Sequence, residues 1–256
     1  MKLLESPREL SYQNGVPFVI WCYWEGDAME GNRKLSFEYF LKHIEVPVAL
    51  ITPKNLHKYI QPEHPFPEGY PYLSIVHRSD YIRAYLMHYY GGGWHDIKAT
   101  EVSYKEIWKE FENPNIWLIG RHEVPNGAAK SYDEEGRYMP NYHQDLVAVP
   151  SWVARPNTPL SKEILERIES VINDNYDKLK KYPAKHPREK KLTGKNLLQK
   201  IFNILKFTYQ GRSLHYPLDW TLFGNIFHPT VLKYKGHISK NLPVDSIKNA
   251  GIYHRG

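Results

Sequence analysis

Cysteine is almost missing from this chain: Cys22 is the one thiol in 256 residues. No intrachain disulfide can form, so stability must come from a packed core, and a reducing compartment is expected. Long apolar runs are missing too. Nothing approaches the ~18 residues that a membrane-spanning helix needs, and the opening MKLLESPREL has no signal-peptide pattern, so a cytoplasmic location is expected. Thirteen histidines are present, yet none stands in H-x-x-x-H or H-E-x-x-H spacing, which argues against a hydrolytic zinc site. G-x-S-x-G, Walker A and G-x-G-x-x-G motifs are absent as well, which removes the usual signatures of serine hydrolases, P-loop enzymes and dinucleotide binders.

What is present is enough for a globular protein. The apolar fraction is 41%, sufficient for a core, and the length fits a single domain over residues 1–256. Aromatics make up 14%, with 20 Tyr and 7 Trp, a bias that suits stacking on sugars and bases as well as core packing. The net charge of +6 is concentrated in one place. Residues 178–200 hold nine Lys/Arg against one acid, so the remainder is slightly acidic. This stretch reads as a solvated, mobile segment. Its functional alternative is peripheral contact with an anionic membrane surface or a diphosphate-bearing acceptor. No basic–aromatic interleaving accompanies it, so no nucleic acid is expected as a partner.

The most informative run is Ser79–Thr100, SDYIRAYLMHYYGGGWHDIKAT. Ser79-Asp80 reads as a helix N-cap, and Ile82, Leu86 and Met87 form an apolar stripe. Three glycines, Gly91 to Gly93, then stop the helix. Trp94 to Lys98 reads as a strand end. Asp80 and Arg83 stand at i and i+3, on one helical face. Either they point together at a ligand, or Asp80 is an ordinary cap and Arg83 a surface pair.

This run resembles the core of glycosyltransferases that carry a DXD sugar-binding motif, and most closely the bacterial capsular-polysaccharide-synthesis enzymes. Initiating mannosyltransferases and clostridial glucosylating toxins are more distant. The matched residues are Ser79, Asp80, Arg83, Gly91 to Gly93, Trp94 and Asp96, while Lys98 stands where the second acid belongs. The resemblance implies an α/β, GT-A-like Rossmann-type nucleotide-sugar-binding fold, with a mixed central sheet flanked by helices. It implies a retaining glycosyltransferase moving a sugar from a nucleotide-sugar donor, a UDP-sugar, to a glycan or lipid-linked saccharide acceptor. Asp80 and Arg83 would read the sugar, Gly92 and Gly93 would let backbone approach the ligand, and Asp96 would face the diphosphate. Mn²⁺ or Mg²⁺ is the implied cofactor, with Asp96 and His254 as candidate ligands and His228 as a remote one. Lys98 opens an alternative: as a fixed cation beside Arg83 it could neutralise the diphosphate without a metal. It also opens a second function, a sugar-nucleotide-binding protein that has lost turnover.

Around this run, Val16–Trp24 reads as a first buried strand ending in the Glu25-Gly26-Asp27 loop, the start of a nucleotide-binding sheet. The same resemblance implies that the end of this strand carries the base, with Trp21, Tyr23 and Trp24 as the aromatic candidates; alternation puts Trp21 and Tyr23 on one face, and at least one of the three should be core. Lys34–His43 has helical spacing, Val46–Thr52 reads as a strand, and Pro53–Tyr72 as an irregular linker. Tyr104–Phe111 is expected to be helical, Ile116–Gly120 and Leu146–Val149 to be strands, and Asn126–Asn141 to be a mobile loop. Ser161–Tyr176 has a clear amphipathic helical pattern, and Leu192–Leu198 leads into a helix through Phe202 and Leu205. Glu123 and Asp145, at strand ends, are candidate bases for the acceptor hydroxyl, and the bland alternative for each is a surface carboxylate.

Overall fold

The computed structural model describes residues 3–244. Strands β1 (Tyr12–Gln13) and β2 (Val16–Pro17) form a small hairpin, followed by β3 (Ile20–Tyr23), α1 (Gly31–His43) and β4 (Val48–Ile51). After an irregular stretch come α2 (Ile75–Tyr89), β5 (Gly92–His95), a 3-10 segment (Lys105–Glu112), β6 (Leu118–His122) and β7 (Val147–Ala154). The remainder is helical: α3 (Pro159–Asp174), α4 (Tyr176–Lys181), α5 (Leu197–Tyr209) and α6 (Leu222–Lys233), then the short edge strand β8 (Ile238–Ser239).

Six strands make one mixed sheet in the order β4-β3-β5-β7-β6-β8. β3 lies parallel to β4 and β5, whereas β7 runs antiparallel to both β5 and β6. The chain leaves β3 for β4 on one side, then returns through α2 to β5 on the other. The carboxyl ends of β3 and β5 therefore open side by side at the point where the winding reverses, which is where ligands sit in open α/β sheets.

Alternation along β3 decides what each face of the sheet packs. Val19, Trp21 and Tyr23 join the core under α2, α3 and α6; Ile20 and Cys22 join the opposite core with Phe37 and Phe40 of α1 and Trp108. Trp21 and Tyr23 do share a face, as alternation requires. Trp21, however, is fully buried between Tyr59 and Tyr90, and its Nε1 donates to the Gly91 carbonyl at 2.7 Å. It is a core residue and not a base-stacking platform.

Helix α2 begins four residues before Ser79. Ser74 is its N-cap, accepting from the His77 N–H, so Asp80 sits inside the helix, buried, and caps nothing. The apolar periodicity was legible, but Ile75 to Arg78 is equally helical and the stronger cap lies upstream. Helix α3 likewise starts earlier than expected, at Pro159, where Thr158 and Ser161 form a reciprocal capping box. β7 runs on to Ala154, past the expected stop at Val149, because Ser151 to Ala154 pair with β5. The loop of residues 126–141 is pinned rather than free: Ala128 and Met139 are buried against Leu232 of α6.

The three glycines serve packing. Gly91 ends α2 in the left-handed region (φ +70°), with its N–H on the Leu86 carbonyl. A Cβ on Gly93 would come 2.3 Å from Ile20 Cδ1, and one on Gly92 about 3 Å from Val19. These residues let β5 lie against β3; a ligand is not what approaches them. A Cβ on Gly91 would meet the Ala154 carbonyl oxygen at 2.7 Å and Pro156 Cδ at 2.6 Å, both held by backbone. Gly91→Ala is therefore expected to cost about 3 kcal/mol, from left-handed strain plus overpacking. That lowers the thermal midpoint by roughly 6–12 °C. Gly136→Ala, with similar φ (+73°) but open space around it, should cost only about 1 kcal/mol; equal midpoints for the two variants would refute the packing role.

Candidate functional site

A cleft of about 540 Å³ opens where β3 and β5 end. Its walls come from the loop after β3 (Trp24 to Ala28), the first turns of α2, the exit of β5 through Lys98, and two later pieces of chain, Pro187-Arg188 and Trp220. Each piece has a local reason to be there. The Val76 N–H donates to the Pro187 carbonyl at 3.2 Å, which seats the 187–188 segment on the start of α2. His77, buried, is hydrogen-bonded to Ser74, the Tyr216 hydroxyl and the Asp219 carbonyl, which brings Trp220 to the rim. Arg78 pairs with Glu25 at 2.8 Å, and the Tyr23 hydroxyl donates to the same carboxylate, closing the β3 loop against α2.

At the floor stands Arg83. Its guanidinium donates to Asp80 Oδ1 at 3.0 Å and to the Val149 carbonyl at 3.1 Å, and lies 3.8 Å from Asp96 Oδ1. The rings of Trp94 and Phe223 flank it at 4.9 and 4.5 Å. Asp96 is fixed from both sides, its N–H on the Pro150 carbonyl at 2.8 Å and its Oδ1 receiving the Trp94 indole N–H at 3.1 Å. Lys98 Nζ lies 3.6 Å from Asp96 Oδ2, and both side chains are about one-third exposed, at 37% and 32%. Arg33, whose guanidinium donates to the Ile97 carbonyl, and Arg188 bring further positive charge to the walls.

The two aspartates are driven in opposite directions. Burial pushes Asp80 up to about 7, against the pull of Arg83 and with added repulsion from Asp96. For Asp96 burial also opposes ionisation, but Arg83, Lys98 and the Trp94 N–H outweigh it and hold the carboxyl below its ordinary value. One is a structural carboxyl close to neutrality; the other is a firm anion in the cleft.

Tyr23, Arg83, Asp96 and Lys98 line the cleft together. Asp80 stands behind them, a residue that positions Arg83. Glu123 and Asp145 are elsewhere. Glu123 is buried, accepts from the Val124 N–H and faces His228 at 3.6 Å. Asp145 is half exposed between Lys235 and Lys240. Neither carboxylate lines the cleft, so neither is placed to take a proton there. The carboxylates that do line it besides Asp96 are Glu25 and Asp27, in the Gly-containing loop at the strand exit, a position that could have singled them out. Arg33, Arg188 and Trp220 carried no such signal.

Both oxygens of Asp96 face cations or an N–H donor, so a divalent cation binding there would have to displace Lys98 and Arg83 from the carboxylate. Among the described residues no group of three or more His, Cys, Asp or Glu could hold a metal. His254 lies outside the described residues.

The family model described as "Capsular polysaccharide synthesis protein" matches residues 5–140, more than half of the chain. That span includes Asp80, Arg83, Asp96 and Lys98 and stops short of Arg188 and Trp220. No curated protein matches the chain.

The shift of Asp80 has a consequence for stability. An unfolded aspartate titrates near 3.8 and the folded one near 7, so the folded state holds the proton more tightly. The stability this group contributes is complete below about pH 4 and is lost as pH rises through about 7. Melting curves between about pH 5 and about pH 8 should show wild type losing stability, at up to about 1.4 kcal/mol per pH unit. Asp80→Asn, neutral at every pH, should show a flatter profile; parallel profiles would contradict the assignment.

Proposed function

The chain belongs to the capsular polysaccharide synthesis family, and from that premise we propose that it is a glycosyltransferase of GT-A type acting on a nucleotide-sugar donor. The family supports a role in polysaccharide biosynthesis. One observation carries the finer reading: a single cleft at the carboxyl ends of two parallel strands gathers an anion, Asp96, with Arg83, Lys98, Arg33 and Arg188, beside Trp24 and Trp220. Its volume of about 540 Å³ lies within the range of small-molecule sites.

The chemistry follows from the charges. In glycosyl transfer the bond from the anomeric carbon to the diphosphate oxygen breaks with its electron pair leaving on the diphosphate, while the acceptor hydroxyl oxygen bonds to that carbon. The fixed cations Lys98, Arg33 and Arg188 would hold the charge that builds on the leaving group, already oriented and partly shielded from water. Asp96, kept ionised and aimed by Trp94 and Arg83, would accept hydrogen bonds from donor sugar hydroxyls. Trp24 and Trp220 offer faces to a base or sugar ring. With retention, the acceptor proton passes to the departing diphosphate and no separate base is required. A UDP-sugar as donor and a glycan or lipid-linked saccharide as acceptor remain the reading carried by the resemblance.

The Asp96–Lys98 pair favours the fixed-cation route over a Mn²⁺ or Mg²⁺ cofactor, since an ion binding at Asp96 would have to compete with Lys98. The same pair is the observation behind a second reading, donor binding without turnover.

Release of nucleotide from a panel of UDP-sugars, with Mn²⁺ and with EDTA, separates these readings. Turnover is expected in EDTA, lowered about 100-fold or more in Asp96→Ala and in Lys98→Ala. Lys98→Asp, which completes the DXD pattern, is expected to make activity depend on Mn²⁺. Full activity in Asp96→Ala would sink the site assignment. UDP binding with no release from any donor would establish the second reading.

A further inference from the structure

Helix α5 turns its apolar side chains away from the protein. Leu197, Leu198, Phe202 and Leu205 are 64–79% exposed, Tyr209 94% and Ile201 46%, while Phe207 is the helix's one buried residue. At ~100° per residue those six exposed positions fall on one contiguous arc. Gln199, Asn203 and Phe207 lie on the other side, and Lys200 and Lys206 flank the arc. Phe207 fastens the helix to the body, with the Arg212 guanidinium 5.7 Å and the Lys190 ammonium 5.8 Å from its ring. Contiguous apolar patches of this kind are uncommon on a monomer unless something covers them.

The surroundings say what covers it. Lys190, Lys191, Lys195, Lys200 and Lys206 are all exposed. Between Lys178 and Arg212 the single acid is Glu189, and it is fully buried, accepting N–H groups from Lys185 and Ser213. Every exposed charge between Lys178 and Arg212 is therefore cationic, and the exposed Asp219 stands beside Leu218, whose carbonyl accepts from the Lys191 N–H. Thr208 of α5, which falls within the arc between Leu197 and Ile201, also lines a cleft of about 490 Å³ whose walls include Lys181, Lys185, Arg212 and His215. An apolar arc framed by cations, with a basic cleft at its end, matches an anionic bilayer surface: acyl chains take the arc, and headgroup phosphates take the lysines and the cleft. A nucleic acid would leave the apolar side chains uncovered. A second copy would press two cationic rims together, at a cost from like-charge repulsion.

We propose that α5 is an interfacial helix that docks this protein on membranes rich in anionic lipid. The docking element is thus residues 197–209 and the adjacent basic cleft, not the lysine run of 178–200 alone. A short path of contacts joins the helix to the candidate active site: Arg188 lines that cleft, and its carbonyl accepts from Arg212, which packs on Phe207. The assignment rests on no part of the transferase reading, and α5 lies outside the family match.

Co-sedimentation with vesicles of phosphatidylcholine, with and without phosphatidylglycerol, tests it. Wild type should bind the anionic vesicles about tenfold more tightly or better, and lose that preference in high salt. Leu198→Glu with Phe202→Glu, and separately Lys195→Glu with Lys200→Glu and Lys206→Glu, should each weaken binding about tenfold. All five side chains are exposed, so the melting midpoints should stay near wild type, and a nucleotide-binding assay reports the cleft independently. No vesicle binding by wild type, or binding untouched by both sets of substitutions, would overturn the proposal. So would a concentration-dependent dimer in vesicle-free solution that the leucine and phenylalanine substitutions abolish.

Discussion

The buried guanidinium of Arg83 is the constraint on which this structure turns. A charge removed from water is tolerated only when it is paired and hydrogen-bonded, and Arg83 draws its partners from several elements. Asp80 lies one turn back on α2, Val149 is on β7, Trp94 is on β5, and Phe223 belongs to α6. Meeting that demand sets the depth of α2 against the sheet, and brings Asp96 to within 3.8 Å of the same guanidinium. The site's anion is thus positioned by a requirement of folding before any ligand is considered.

Asp80 and Asp96 illustrate how environment divides the work between identical side chains. Asp80 is shut behind Arg83 and titrates high because burial dominates; Asp96 is at the cleft, with two cations and an indole N–H, and stays ionised. Lys98 fits this electrostatic plan: its ammonium, 3.6 Å from Asp96 Oδ2, is a positive charge carried by the chain itself at the mouth of the cleft. The proposed chemistry therefore needs no change in the rest of the floor.

The segment after α3 links two surfaces. Its cations divide into those folded inward, with Arg188 at the cleft, and those left around the apolar arc of α5. Glu189, the one acid in the run, is what makes the division: buried and accepting backbone N–H groups, it fastens the segment to Ser213 and lets Arg188 reach the cleft. A stretch that reads as a solvated charge run is, in the fold, a folded connection between the cleft and an exposed helix.

The sequence by itself determined the α/β alternation, the glycine stop after α2, the shared face of Trp21 and Tyr23, and the single run that carries Arg83, Asp96 and Lys98 to one cleft. These are written in local spacing: periods of 3.6 and 2, a left-handed cap that only glycine fills cheaply, and a motif compact enough to survive in one run. Tertiary structure alone decided that Trp21 is core, that Asp80 supports Arg83 instead of capping a helix, and that Glu123 and Asp145 stand away from the cleft. It also decided that Arg188 and Trp220, more than ninety positions from Asp96, complete the wall. Those outcomes depend on which faces meet across the sheet and on where long connections return, and burial and electrostatic pairing between distant residues leave no periodic trace in the chain.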